Sequence, residues 1–151
     1  AKLNMLSKPS KYAIRSVLFL ATVAPNGEKL SPLYISQKMN IPSSFLAKTL
    51  QVLVKKKLIS SIKGRNGGFF LTEENKKNNL LSIVKAYSGS GFLHDCFLGL
   101  SECKDDTPCP IHFVIKPMRT KFLKELSSTT IGDLVKGVKE GKTYLVLGQE
   151  E

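Results

Sequence analysis

The chain has 151 residues, of which 42% are hydrophobic, and a formal net charge of +11; that suffices for one domain with its own core, with or without an appended arm. No apolar run approaches the roughly 18 to 20 residues of a membrane span, and the apolar stretch near the start carries Lys11 and Arg15 and lacks a cleavage-like site, so a cytoplasmic protein without a membrane partner is expected. Three cysteines, an odd and small number, argue against a disulfide-stapled scaffold and leave thiols or metal ligands.

The charge is unevenly divided. Residues 1–80 hold 14 Lys and Arg against 3 acidic residues, whereas residues 81–151 hold nine against nine, so the whole surplus lies in the first part. A half of this kind suits a polyanion: nucleic acid first, then an anionic membrane surface, with plain solubilising charge as the bland alternative. Ala1 to Asn4, ahead of Met5, are expected to be foreign to the folded unit.

The first predicted helix, "KPSKYAIRSVLFLATVAP", has Ser7 as its cap and Ala13, Ile14, Val17, Leu18 and Ala21 on one face, and Pro25-Asn26-Gly27 ends it. "SPLYISQKMN" predicts a short second helix with Ser31 as N-cap, Pro32 at the first position and Leu33, Ile35 and Met39 buried. After Asn40-Ile41-Pro42, Ser43 is the expected cap of a third helix whose Leu46, Leu50, Leu53 and Val54 repeat at helical spacing. "LISSIKGRNGGFFL" reads as a β-hairpin, with an alternating arm at Ile59 to Ile62, a glycine turn, and an aromatic arm from Phe69 to Leu71.

"NLLSIVKAYSG" predicts a helix offering Leu80, Leu81, Ile83 and Val84 to the core, and the Ser88-Gly89-Ser90-Gly91 run marks a sub-boundary near residue 90. "KPMRTKFLKELSS" predicts a helix starting at Pro117 with an apolar stripe of Met118, Phe122, Leu123 and Leu126, more apolar than a lone tail needs unless it has a partner. "TTIGDLVKG" predicts a last short helix, capped by Thr130 with Asp133 three residues on and ending at Gly137.

Helix, helix, turn, helix and a glycine-tipped hairpin is the order of a winged helix-turn-helix, whose last helix enters the DNA major groove. Ser43, Ser44 and Lys48 fall at the end of that helix that meets base edges, and Phe45 is placed to touch a thymine methyl. Lys55, Lys56, Lys57 and Lys63 suit phosphates, which supply affinity without sequence information. Arg65 at the hairpin tip suits a narrow minor groove. Any one of these charges alone is as readily a solvated surface group; the clustering makes the case. Phe69 and Phe70 are expected to pack the hairpin rather than stack on bases.

Every cysteine lies in "CFLGLSECKDDTPCPIH": C-x6-C from Cys96 to Cys103, C-x5-C to Cys109, and C-x2-H to His112. Zinc ribbons generally use a tight C-x2-C turn, which is missing, while wider loops suit thiolates and an imidazole spread around an iron-sulfur cluster. By spacing alone an iron-sulfur cluster leads, zinc and thiol redox chemistry follow, and buried structural cysteines come last. A cysteine nucleophile paired with His112 or His94 is the least favoured, because nothing marks a substrate pocket.

Over Met5 to about Gly137 the sequence resembles the Rrf2-type transcriptional regulators, the group holding the iron-sulfur cluster assembly repressor and the nitric-oxide-sensing repressor. The resemblance rests on "SKYAIRSVLFLA", on "ISQKMNIPSSFLAKTLQVLVKKKLISSIKGRNGGFFL", on the three cysteines followed by "CPIH", and on "TIGDLV". It implies a homodimer on promoter DNA, a long helix crossing its partner's, and a cluster, 2Fe-2S ahead of 4Fe-4S, that a purified sample can lack. Cys96, Cys103 and Cys109 would be its thiolate ligands and His112 the fourth. Lys11 stands where nitric-oxide-sensing members carry an acidic ligand, and C-x6-C is one residue longer than the commonest spacing.

The expected fold is thus mainly α with a small β-hairpin: a winged helix-turn-helix domain over 5–90, a Cys-rich cluster-binding loop over 91–112, a dimerisation helix and short C-terminal helix over 113–140, and a tail over 141–151. The expected function is that of a dimeric regulator, a repressor rather than an enzyme, with no small-molecule substrate. A cluster-free thiol-redox or zinc-dependent regulator of the same fold is the alternative, and a thiol enzyme stands behind it.

Overall fold

The computed structural model describes residues 6–88, 94–100 and 103–147. The expected boundary at Gly89-Ser90-Gly91 lies outside the described residues. Helix α1 (Lys8–Val23) is capped by Ser7, whose Oγ accepts from the Ser10 amide, with Pro9 in its first turn. It is the central strut, packed by α2 (Pro32–Met39), α3 (Ser43–Lys55), the later helix α5 (Leu80–Ser88) and the C-terminal helix described below. Neighbours on several sides explain why burial spreads beyond the single predicted face to Tyr12, Phe19 and Leu20, while Ile14 and Leu18 are half-buried.

Helix α2 starts as its sequence predicts, on Ser31 and Pro32, and buries Ile35 and Met39 one turn apart. Leu33, expected inside, is 60% exposed, because it sits off the Ile35/Met39 face. Asn40 takes a left-handed conformation (φ 52°) that ends α2, and the Ser36 hydroxyl donates to the Ile41 main-chain oxygen at 2.6 Å, closing the turn. Ser43 is not the cap of α3. Pro42 occupies the N-cap and Ser43 is the first helical residue, its Oγ 3.1 Å from the Ser36 Oγ.

Leu46, Leu50 and Leu53 of α3 are fully buried in the shared core. The helix ends with Lys57 left-handed (φ 58°), the amides of Lys57 and Leu58 donating to the oxygens of Val54 and Leu53 at 2.9 Å each, the paired closure of a Schellman motif. Strands β1 (Ser60–Ile62) and β2 (Gly68–Phe70) pair antiparallel, Ser61 opposite Phe69. Leu30 adds a reciprocal bridge to Phe69, with both N···O distances 2.9 Å. The hairpin is therefore pinned to the chain just before α2.

A short helix unforeseen from the sequence, α4 (Glu73–Lys76), begins with a capping box between Thr72 and Asn75. Asn75 is buried; its carboxamide oxygen accepts from Ser60 Oγ and the Thr72 amide, and its Nδ2 donates to the Lys57 oxygen at 3.0 Å. One side chain thus joins the end of α3, the wing and α4.

Helix α6 (His112–Ser128) begins five residues before Pro117, which lies inside it. Pro117 removes one ladder hydrogen bond and frees the Phe113 oxygen, but both residues are exposed, so water can serve that oxygen. Helix α6 packs on α5, and its far half has Leu126 buried and Phe122 and Leu123 half-buried, whereas its near half projects Phe113 (74% exposed), Val114 (66%) and Met118 (61%). Helix α7 (Ile131–Lys139) carries the predicted Thr130/Asp133 capping box and runs two residues past Gly137. Grouped by sequence with the dimerisation arm, it instead buries Ile131 and Val135 in the core beside α1. Among the described residues no helix is long and apolar enough to cross a membrane.

Candidate DNA-reading surface and cysteine site

On α3, Ser43, Ser44 and Lys48 are exposed on one side of its first two turns. Phe45 is not free beside them. Its ring is half-buried edge-on to Tyr12, with centroids 5.2 Å apart and planes at 73°, so it seats the start of α3 on α1. Only the part of the ring turned away from Tyr12 is left for the expected thymine contact.

The last turns of α3 and the wing enclose an open groove of about 640 Å³, into which Lys55, Lys63 and Arg65 all face. Lys56 is exposed at the end of α3. Phe69 and Phe70 are half-buried in the hairpin, as expected for packing residues. The wing tip needs its glycines: a Cβ on Gly67 would lie 2.0 Å from the Ile62 oxygen, and one on Gly68 2.7 Å from the Leu30 oxygen.

The cysteine segment also converges. Cys96, Cys103, Cys109 and His112 line one small cavity of about 190 Å³, together with Leu100, Lys104, Thr107 and Pro110. All three cysteines are free thiols. The loop is tied by the Cys103 amide to the His94 oxygen (3.0 Å), the His112 amide to the Cys109 oxygen (3.0 Å) and Arg119 of α6 to the Asp95 oxygen (2.6 Å). The backbone hydrogen bond from Leu98 outweighs the opposing effect of burial and, with lesser help from the Leu100 backbone, the Cys109 thiol and the nearby charge of Arg119, holds the Cys96 thiol below the usual range.

His112 is 2% exposed, with Nδ1 3.2 Å from Cys103 Sγ and Nε2 3.0 Å from Asp105 Oδ1. Lys116, one turn along α6, places Nζ 2.6 Å from both Asp105 oxygens. Sequence reasoning passed over Asp105 and Lys116; the only signal was the i, i+4 spacing of His112 and Lys116. Among the described residues no three His, Cys, Asp or Glu side chains converge tightly enough to grip one ion. The four ligand candidates instead surround a volume several times the roughly 30 Å³ of a water molecule, and three thiols with one imidazole are a donor set suited to an iron-sulfur cluster.

The profile of the Rrf2 family, described as "Iron-dependent Transcriptional regulator", matches residues 6–137. The chain belongs to the Rrf2 family. It is a DNA-binding transcriptional regulator and not an enzyme. It is 32% identical over 148 residues to "Protein aau3" of Rhizobium meliloti, covering 97% of this chain and 93% of that protein. It is 28% identical to the HTH-type transcriptional regulator NsrR of Oceanobacillus iheyensis, covering 89% and 92%. Among solved structures, T. potens IscR superposes with a TM-score of 0.69 at 22% identity, covering 92% of this chain and 91% of that one. These relationships establish the winged-helix fold of Rrf2 regulators for this chain.

Proposed function

We propose that this Rrf2 regulator is a homodimeric, cytoplasmic repressor of promoter DNA whose affinity depends on an iron-sulfur cluster, 2Fe-2S ahead of 4Fe-4S, held by Cys96, Cys103, Cys109 and His112. The observation that carries the reading is the convergence of those four side chains on one cavity at the start of α6. A bound cluster would supply a redox-sensitive, oxidant-labile crosslink between the 91–112 loop and α6. The rest belongs to the chain's own residues. Helix α6 packs on α5, and Tyr87 of α5 donates to the Thr49 oxygen of α3, so the order of the loop is coupled to the base-reading helix by direct contacts.

In this reading Ser43, Ser44 and Lys48 meet base edges in the major groove, with Phe45 seated beneath them. Lys55, Lys56 and Lys63 hold phosphates, and Arg65 enters the adjacent minor groove. The exposed Phe113, Val114 and Met118 of α6 face the same helix of a second copy, because contiguous apolar side chains on a soluble helix are stabilised by burial against a partner. Two-fold pairing then spaces two α3 helices on successive major-groove turns.

Anaerobic purification and reconstitution provide the test. The expected result is a brown protein containing iron and sulfide, with visible absorption lost in Cys103→Ala, and promoter affinity that changes when the cluster is removed. A colourless, iron-free protein that binds promoter DNA unchanged would overturn the cluster and leave the thiol-redox regulator, which the lowered Cys96 thiol favours; zinc in that colourless protein would point to the zinc-dependent form.

A further inference from the structure

Resting on the cluster reading, we propose that Asp105, clamped by Lys116, is the positioning residue of the candidate ligand His112: it fixes the imidazole tautomer that turns the Nδ1 lone pair toward the cysteine cavity, making Nδ1 the ligating atom.

A carboxylate only accepts hydrogen bonds, so an imidazole nitrogen 3.0 Å from Asp105 Oδ1 must carry the proton. That nitrogen is Nε2. A neutral imidazole with Nε2 protonated has its lone pair on Nδ1, and Nδ1 is the atom 3.2 Å from Cys103 Sγ, on the cavity side. In the cluster-free chain the Cys103 thiol donates to it. As a cluster ligand Cys103 would be a thiolate with no proton to share, which would leave its Sγ and the His112 Nδ1 lone pair both available on the cavity side.

Three features keep the ring from turning over. The imidazole is nearly completely buried, so reversing it would strand both nitrogens without their partners. Its residue is the first of α6, anchored through its own amide to the Cys109 oxygen. Asp105 itself is exposed, but Lys116 engages both its oxygens from the same face of α6 as His112, so helix, lysine, carboxylate and imidazole form a closed ring of contacts. Partners of this kind commonly set ligand orientation and basicity at metal sites, and their loss costs about 10- to 100-fold in metal affinity.

The test uses the full chain. In the cluster-free protein labelled with 15N-histidine, two-bond 1H–15N correlation spectra should show His112 as the Nε2–H tautomer. Asp105→Ala should shift it away from that form, Asp105→Asn should retain it because the amide oxygen still accepts, and Lys116→Ala should weaken it. Unchanged circular dichroism in all three variants would show that they fold. After anaerobic reconstitution, cluster loss in air should be at least about tenfold faster in Asp105→Ala and close to wild type in Asp105→Asn. Wild-type His112 protonated on Nδ1, or a tautomer and cluster lifetime unmoved in Asp105→Ala, would overturn the clamp. A wild-type protein with the Nε2–H tautomer that takes up no iron would overturn ligation by Nδ1 together with the cluster reading, while leaving the Asp105 contact intact.

Discussion

The Tyr87 hydroxyl donates to the Thr49 main-chain oxygen at 2.6 Å, so α5 holds the middle of α3, the helix proposed to read DNA. A helical carbonyl has a second lone pair for such a bond. Burial pushes the Tyr87 phenol well above its usual range, which keeps it a donor. Tyr87→Phe should cost about 1 kcal/mol in urea unfolding and weaken promoter binding. A Tyr87→Phe protein with wild-type stability would show that the bond is replaced by water at no cost.

Lys57 closes α3 in a left-handed conformation that favours glycine. Lys57→Gly should stabilise the fold by about 1 kcal/mol, since the strain of a Cβ in that region exceeds the added chain entropy. Its promoter affinity should fall slightly through the lost charge. Chemical denaturation reads the first effect, and a destabilised variant would contradict the strain argument.

The wing depends on the contact between Gly68 and Leu30. Gly68 has φ 147°, and any Cβ there meets the Leu30 main chain at under 3 Å. Gly68→Ala should therefore cost roughly 2 to 3 kcal/mol and impair DNA binding more than it impairs α-helical content, measured by thermal unfolding and by anisotropy with labelled promoter DNA. Equal binding by the variant would mean that the hairpin does not contribute to the interface.

Lys63 and Lys48 should differ in kind. Lys63→Ala should lower affinity on all sequences and reduce the salt slope of binding by about one, whereas Lys48→Ala should cost about 1 to 3 kcal/mol on the cognate site and relax its sequence preference. Titrations at several salt concentrations separate them. A cognate-only loss for Lys63 would reverse the assignment.

The Thr130/Asp133 capping box secures α7. Thr130→Ala should cost about 1 kcal/mol. Hydrogen bonds from the Thr130 backbone, then its side chain, hold the Asp133 carboxyl below its usual value. A carboxyl depressed in the folded state stabilises above its unfolded pKa and loses that stabilisation as pH falls through the folded one. The wild type should thus lose more stability than Asp133→Asn when pH is lowered below about 4. Parallel acid profiles would remove Asp133 from the account.

Much of this protein was legible in its order of residues. Ser31-Pro32, Asn40-Ile41-Pro42 and the glycines of the hairpin act through local backbone preferences, which need no knowledge of distant neighbours, and the clustered lysines and cysteines mark their surfaces by composition alone. Leu33, Phe45 and the start of α6 were not legible, because whether an apolar side chain is buried depends on what packs opposite it, and a proline is tolerated where solvent can satisfy the carbonyl it frees. The docking of α7 on α1, the Asn75 junction and the Asp105–His112–Lys116 ring belong to the tertiary structure alone. Each joins polar or apolar groups separated along the chain by loops without a period, and only closure of the core brings those groups within hydrogen-bonding or van der Waals reach.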